Sequence, residues 1–262
     1  MVRIPLSGAG YNASRMSTQT THRIAMWSGP RNISTALLRS WGNRPDTYVC
    51  DEPLYAHYLQ ATGIEHPGAK EVMAHHPTDW RQVRDWLVGP VPEGRPVFYQ
   101  KHMAHHLLAH IERDWLDRLQ HCFLIRDPGE MLTSLIKRLP EPTMQDTGLP
   151  QQHELFQRMR EKTGVTPPVI DARDVLENPE GMLRSLCRHL GVEFLPSMLS
   201  WPAGGRETDG IWAKHWYEAV NRSTGFHPYR PKDEQVPAAM SELHRQCREH
   251  YEALSRHKLR PE

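Results

Sequence analysis

Five short apolar runs, each handing over to a stretch of helical period, constrain this chain more than any other feature. "RIAMWS" (23–28), "TYVC" (47–50), "PVFYQK" (96–101), "HCFLIR" (121–126) and "PPVIDA" (167–172) read as buried strands. "NISTALLRSW" puts Ile33, Ala36, Leu37 and Trp41 on one helical face, with Asn32 as N-cap. Pro53 suits a helix start in "DEPLYAHYL", and "WRQVRDWLV" is amphipathic. Leu107, Leu108, Ile111, Trp115 and Leu119 form a further helical stripe. Asp127 caps a helix opened by Pro128; Asn178 caps one opened by Pro179 and ended by Gly191. A last helix runs through Val236, Met240, Leu243, Cys247, Tyr251 and Leu254, whereas residues 140–153, with Pro140, Pro142 and Pro150, read as a loop.

Strands that alternate with helices build an α/β fold. The expectation is a single three-layer domain over residues 23–262, with a central, mainly parallel sheet covered on both faces. Residues 1–22 are polar and read as a flexible N-terminal tail, with Met16 as an alternative start. The 32 basic and 31 acidic residues leave a net charge of +1, which argues against a nucleic-acid surface or a polybasic membrane anchor. No run approaches the ~18 apolar residues of a membrane span. Cys50, Cys122, Cys187 and Cys247 form no C-x-x-C pair and read as core thiols, which fits a reducing, cytoplasmic setting.

In a sheet of this kind ligands bind beyond the carboxyl ends of the strands, so the residues that follow each strand carry the chemistry. After the first strand comes Ser28-Gly29-Pro30-Arg31-Asn32-Ile33-Ser34-Thr35. A helix N-terminus there offers unpaired N–H groups and roughly half a positive charge. Ser34 and Thr35 add hydroxyls, and Arg31 adds a permanent cation with a fork of donors. After the fourth strand, Arg126 leaves the strand end and Ser134 lies about two turns along the next helix, a spacing that lets both meet one phosphate. His102 and Glu52 each follow a strand and are the two candidate bases: a neutral imidazole suits proton uptake without tuning, and a carboxylate suits it once burial raises its pKa. His102, His106 and His110 recur every four residues, but no carboxylate or cysteine completes a zinc pattern, and metal-independent chemistry is expected.

These strand-end residues resemble sulfotransferases that use 3′-phosphoadenosine-5′-phosphosulfate (PAPS). The Ser28–Thr35 loop is similar to the family's 5′-phosphosulfate loop, Ser-Pro-Arg-Ser-Gly-Thr-Thr in bacterial members: Pro30, Arg31, Ser34 and Thr35 match, Gly29 and Asn32 depart, and Ile33 stands where glycine is usual. Arg126, Pro128 and Ser134 reproduce the spacing of the 3′-phosphate element. Residues 169–194 resemble the late strand–helix unit, with Ala172 where cytosolic relatives often carry an adenine-contacting tyrosine. The resemblance implies a P-loop NTPase-like sulfotransferase architecture and PAPS as donor co-substrate. It implies in-line transfer of a sulfuryl group to a hydroxyl or amine of a small-molecule acceptor, without a metal.

Carried over residue by residue, the resemblance makes Gly29, Pro30, Arg31, Asn32, Ile33, Ser34 and Thr35 donor-binding, with Arg31 stabilising the leaving phosphate. "YQKHMA" is similar to the Lys-x-His-Leu-Pro stretch whose His is the base, which points to His102, with Lys101 helping the sulfuryl group; other branches use a glutamate, which points to Glu52. A late basic loop over the 3′-phosphate points to Lys214 or Arg222. Two other classes stay open. A P-loop kinase needs a Walker lysine and an acidic metal ligand, which the loop lacks in register. A non-catalytic nucleotide- or partner-binding module with the same fold is compatible with the bulk of Ile33.

Overall fold

The computed structural model describes residues 20–262. Residues 1–19 of the expected tail lie outside them, and His22, placed in that tail, already opens the first strand. The chain runs β1 (His22–Ser28), α1 (Ser34–Gly42), β2 (Thr47–Asp51), α2 (Tyr55–Thr62), α3 (Ala69–His75) and α4 (Trp80–Val88). It continues through β3 (Val97–Met103), β4 (Gln120–Ile125), α5 (Pro128–Leu135), α6 (Met144–Thr147), α7 (Leu149–Thr163) and β5 (Val169–Asp171). It ends in α8 (Ala172–Glu177), α9 (Pro179–Leu190), α10 (Ala213–Trp216), α11 (Glu218–Asn221) and α12 (Ser241–Ser255).

The five strands form one sheet in the order β2-β3-β1-β4-β5, and every pairing is parallel. Side chains alternate between the two faces along each strand. Ala25, Trp27, Phe98 and Phe123 pack on one face against Val83 and Leu87 of α4, Leu155 and Phe156 of α7, and Leu254 of α12. Ile24, Met26, Tyr99 and Leu124 pack on the other against Leu37 and Trp41 of α1 and Leu183, Leu186 and Leu190 of α9. Both faces are therefore dry, and the carboxyl ends of β3, β1 and β4 stand side by side where ligands of such sheets bind. All four cysteines are buried free thiols. Among the described residues no helix is long and apolar enough to cross a membrane.

Two expectations are corrected. The stripe over residues 107–119 is not an α-helix; short 3-10 turns at Ala104–His106 and Asp114–Arg118 take its place. Leu107, Ile111, Trp115 and Leu119 are buried all the same and Leu108 is partly so, but the Arg113 guanidinium bonds the carbonyls of Leu107, Leu108 and Ile111, which a helix would give to its own N–H groups. The expected loop at 140–153 contains α6 and the start of α7. Pro150 lies in the first turn of α7, where its missing N–H costs nothing, so it opens that helix.

Residues 200–226 make an irregular strap, anchored to α1 by a buried ion pair. Arg39 bonds Asp209 in bidentate fashion and reaches Asn221 Oδ1 at 3.0 Å, with side-chain exposures of 1% for Arg39 and 6% for Asp209. Removing one partner leaves a buried charge uncompensated. Arg39→Met is expected to cost about 3–5 kcal/mol, read as a lower urea midpoint.

Candidate functional site

The loop after β1 is an anion cradle with its mouth open. Ile33 takes the N-cap position of α1 and no side chain caps the helix. Asn32, expected to be that cap, is engaged elsewhere. Its Nδ2 donates to the carbonyl of Leu124 at 3.2 Å, and its Oδ1 accepts from Ile33 N at 2.9 Å. The loop is thereby tied to the end of β4, and the first N–H groups of α1 keep no side-chain acceptor. Arg31 sits at φ 56, in the left-handed region that a non-glycine residue adopts at a cost of about 1–3 kcal/mol. Ile33 does not intrude as a lone bulky group: it packs beside the cluster under α1 while lining the cavity.

The β4–α5 element meets this loop directly, a contact that the spacing of Arg126 and Ser134 does not show. Arg31 Nε donates to Ser134 Oγ at 2.9 Å, and Arg126 donates to the Arg31 carbonyl at 2.6 Å. Arg126 pairs with Glu130 at 2.9 Å, one turn along α5. Arg138, one turn past Ser134, joins the group and was missed from the sequence, where it reads as an ordinary helix-end cation. Burial, then the charges of Arg138 and Arg126, pull the Arg31 guanidinium below its usual pKa. Among the described residues no carboxylate pairs with Arg31 or Arg138. Two crowded guanidinium groups without a carboxylate partner, Arg31 and Arg138, fit a bound polyanion.

At the ends of β2 and β3 stands a buried charge cluster. Lys101 Nζ lies 2.8 Å from Asp51 Oδ1, 2.6 Å from Glu52 Oε1 and 2.8 Å from Tyr217 Oη. Burial would lower the Lys101 ammonium, but Asp51 and Glu52 overcome it and hold its pKa well above the usual value. Burial raises the Glu52 carboxyl above the carboxylate range; Asp51 adds to the rise and Lys101 opposes it. Asp51 and Tyr217 were not anticipated. Tyr217 arrives from the strap, more than a hundred residues away, and no local pattern signals it.

One cavity of about 700 Å³ joins the two groups: Arg31, Ser34, Thr35, Arg126, Ser134 and Arg138 line it together with Glu52 and Lys101. Beside Glu52 its wall is aromatic. His106 stacks on Tyr55 and on Tyr58, with ring centroids 4.9 and 4.6 Å apart, and Tyr55 Oη shares a hydrogen bond with His66. Burial pushes His105 down to about 4 and lowers His106 further, so both line the cavity as neutral imidazoles.

Four expected residues are absent from this wall: Gly29, which is buried against the Thr147 carbonyl, and His102, Lys214 and Arg222. His102 has the pleat parity of Phe98, opposite to Lys101; it stacks on Trp27 at 4.3 Å in the core, and burial drives its pKa to about 3. Of the two candidate bases, Glu52 lines the cavity and His102 does not. Lys214 is bound to Glu71 at the surface, and Arg222 is paired with Glu218 one turn away on the exposed side of α11. Ser223, next to Arg222, does line the cavity. His102, His106 and His110 share no helical face, since β3 ends between the first two. Among the described residues no group of three His, Cys, Asp or Glu converges as a metal site.

A doubly covered parallel sheet with an anion cradle after its central strand defines an α/β protein of the P-loop-like class. A family model described as a sulfotransferase domain matches residues 22–257, and the chain belongs to that family. Branched-chain-amino-acid aminotransferase-like protein 2 of Arabidopsis thaliana is 34% identical over 236 residues, covering 89% of this chain and 41% of that protein. Branched-chain-amino-acid aminotransferase-like protein 1 of the same plant is 38% identical over 204 residues, covering 78% of this chain and 36% of that protein. The chain thus spans about two fifths of the length of these curated relatives. The sulfotransferase domain of the Synechococcus PCC 7002 olefin synthase has a TM-score of 0.56 at 18% identity, covering 89% of this chain and 95% of that one. A sulfotransferase from Alicyclobacillus acidocaldarius has a TM-score of 0.50 at 13% identity, covering 92% and 98%. These likenesses show the sulfotransferase fold.

The cradle makes a testable demand at Gly29. A Cβ there would lie 2.3 Å from the carbonyl oxygen of Thr147. Gly29→Ala is expected to push the loop off α6 and to cost about 1–3 kcal/mol, measured as a fall in Tm.

Proposed function

We propose that this chain transfers a sulfuryl group from 3′-phosphoadenosine-5′-phosphosulfate to a hydroxyl or amine of a small organic acceptor. The observation that carries the reading is the polarity of the cavity: crowded guanidinium groups at one end, a buried carboxylate with raised pKa at the other. The donor fits this residue set, since its phosphates need cations and N–H groups at two points, and Arg31 with the α1 N-terminus and Arg126 with Ser134 supply both. When bound, it supplies the sulfuryl group on its 5′-phosphosulfate.

The chain's own groups then have distinct roles. Glu52 takes the proton that the acceptor O–H or N–H releases as the new bond to sulfur forms. As the bond to sulfur breaks, its electron pair stays on the leaving phosphate oxygen, and Arg31, Ser34, Thr35 and the open N–H groups of α1 stabilise that charge. Lys101, in contact with Glu52, has the role of offsetting charge on the sulfuryl oxygens. Arg126, Ser134 and Arg138 hold the 3′-phosphate. Arg138 fills the part expected of Lys214 or Arg222, both engaged on the outer surface. These cations do the work that a divalent ion does in nucleoside triphosphate chemistry. The aromatic wall at Tyr55, Tyr58 and His106 excludes water from the proton transfer and supports a small, partly apolar acceptor. A cytoplasmic setting suits four free thiols.

Thermal melting separates the classes. Adenosine 3′,5′-bisphosphate is expected to raise Tm, and ATP with magnesium is not. Stabilisation by ATP with magnesium alone would favour a kinase, and by neither ligand a binding module. Arg138→Ala and Arg126→Ala are each expected to weaken the bisphosphate by roughly tenfold or more while leaving 5′-AMP nearly unchanged, checked by calorimetric titration. Glu52→Gln is expected to lower transfer from labelled donor by about two orders of magnitude or more, with bisphosphate affinity retained.

A further inference from the structure

Asp51 does not line the cavity, yet it bonds Lys101, which does, and Tyr217. An ammonium has three N–H groups. Those of Lys101 face Asp51, Glu52 and Tyr217, so none is spare. Tyr217 accepts from Lys101 and donates onward to Asp51 Oδ2 at 2.6 Å. Asp51 is shut in, with 1% side-chain exposure, whereas Glu52 is 14% exposed and faces the cavity.

Successive residues of a strand point to opposite faces. Asp51 ends β2 in extended geometry, and Glu52 follows at φ 41, in the left-handed region. That turn brings two consecutive carboxylates onto one ammonium. Holding a glutamate there costs about 1–3 kcal/mol, and the surroundings over-determine it: Glu52 N bonds the Lys101 carbonyl at 2.9 Å and its own carbonyl receives Tyr55 N at 3.0 Å.

We propose that Asp51 is a positioning residue: it grips Lys101 from behind and, with Tyr217, holds that ammonium against Glu52. The proposal rests on the transfer reading above. The charged and titratable groups facing Glu52 are Lys101 from β3, Asp51 from β2, Tyr55 from α2 and Tyr217 from the strap, with neutral His106 beyond Lys101. When Glu52 takes the acceptor proton it loses its charge, and its hold on Lys101 weakens. Asp51 and Tyr217 keep the ammonium in place, and one Lys101 N–H becomes free to turn to the sulfuryl oxygens. Asp51 thus couples proton uptake to charge stabilisation without touching either substrate.

The sign of the pH effect follows. Glu52 works deprotonated, so the rate rises with pH through its pKa. The negative charge of Asp51 raises that pKa. Asp51→Asn removes the charge and leaves Lys101 wholly to Glu52, and both changes favour the carboxylate. The acidic limb of kcat/KM is expected to move down by about one pH unit, and the Glu52 carboxyl-carbon NMR titration, assigned with Glu52→Gln, to move with it. Tyr217→Phe keeps both carboxylates and is expected to leave the limb within a few tenths of a unit. An unmoved or rising limb in Asp51→Asn, or an equal shift in Tyr217→Phe, overturns the proposal and makes Asp51 a packing residue. Should Asp51→Asn fail to fold, Lys101→Met/Asp51→Asn removes both buried charges together; Glu52 is then expected to titrate lower than in Lys101→Met, and equal titration overturns the proposal. The NMR readout needs no donor or acceptor, so absence of transfer in the wild type counts against the transfer reading and leaves this result standing by itself.

Discussion

A parallel sheet buried on both faces leaves its polar side chains almost nowhere to go except beyond the strand ends. Every residue of β1 from Ile24 to Ser28 is fully buried, and the layers above and below are closed by α1 and α9 on one side and α4, α7 and α12 on the other. The charged residues Arg31, Glu52, Lys101 and Arg126 therefore collect at one edge, around one cavity. The site is a consequence of that burial. Charges placed mid-strand would have no partner and no water.

Within the cavity, charges divide by what each loop can offer. The turn after β1 supplies open N–H groups and a guanidinium, and α5 supplies a hydroxyl and two more guanidinium groups flank it. The ends of β2 and β3 supply carboxylates around an ammonium. One space thus has a cationic end and a carboxylate end. The strap over residues 200–226 links the halves, because Tyr217 reaches the buried cluster while Ser223 and Phe226 close the wall. Its anchor is the Arg39–Asp209 pair, so the stability of the site and the docking of the strap are coupled.

Much of this was legible in the chain. The five strands stand within a few residues of their apolar runs, and the caps at Asp127 and Asn178 accept the backbone bonds that their neighbours suggest. The spacing put Arg126 and Ser134 on one element, but the bond from Arg31 to Ser134 comes from β4 lying beside β1. The misreadings share a cause, which is that long-range partners overrode local pattern. Arg113 took the carbonyls that the 107–119 stripe needed for a helix. Asn32 turned from capping α1 to holding β4. Pro150 looked like a breaker and is a starter.

By itself the sequence determined the strand–helix alternation, hence the doubly covered sheet, and it placed an anion loop and a basic spacing after two strands. Those features are local, set by side-chain period, caps and turns. Only the tertiary structure decided which candidate base faces the cavity, because the pleat of β3 sends Lys101 one way and His102 the other, and that sense is invisible until neighbours fix it. It likewise decided that Arg138 and not Lys214 or Arg222 joins the anion end, and that Asp51 and Tyr217 share an ammonium with Glu52. Contacts between residues far apart in the chain have no signature in its local period.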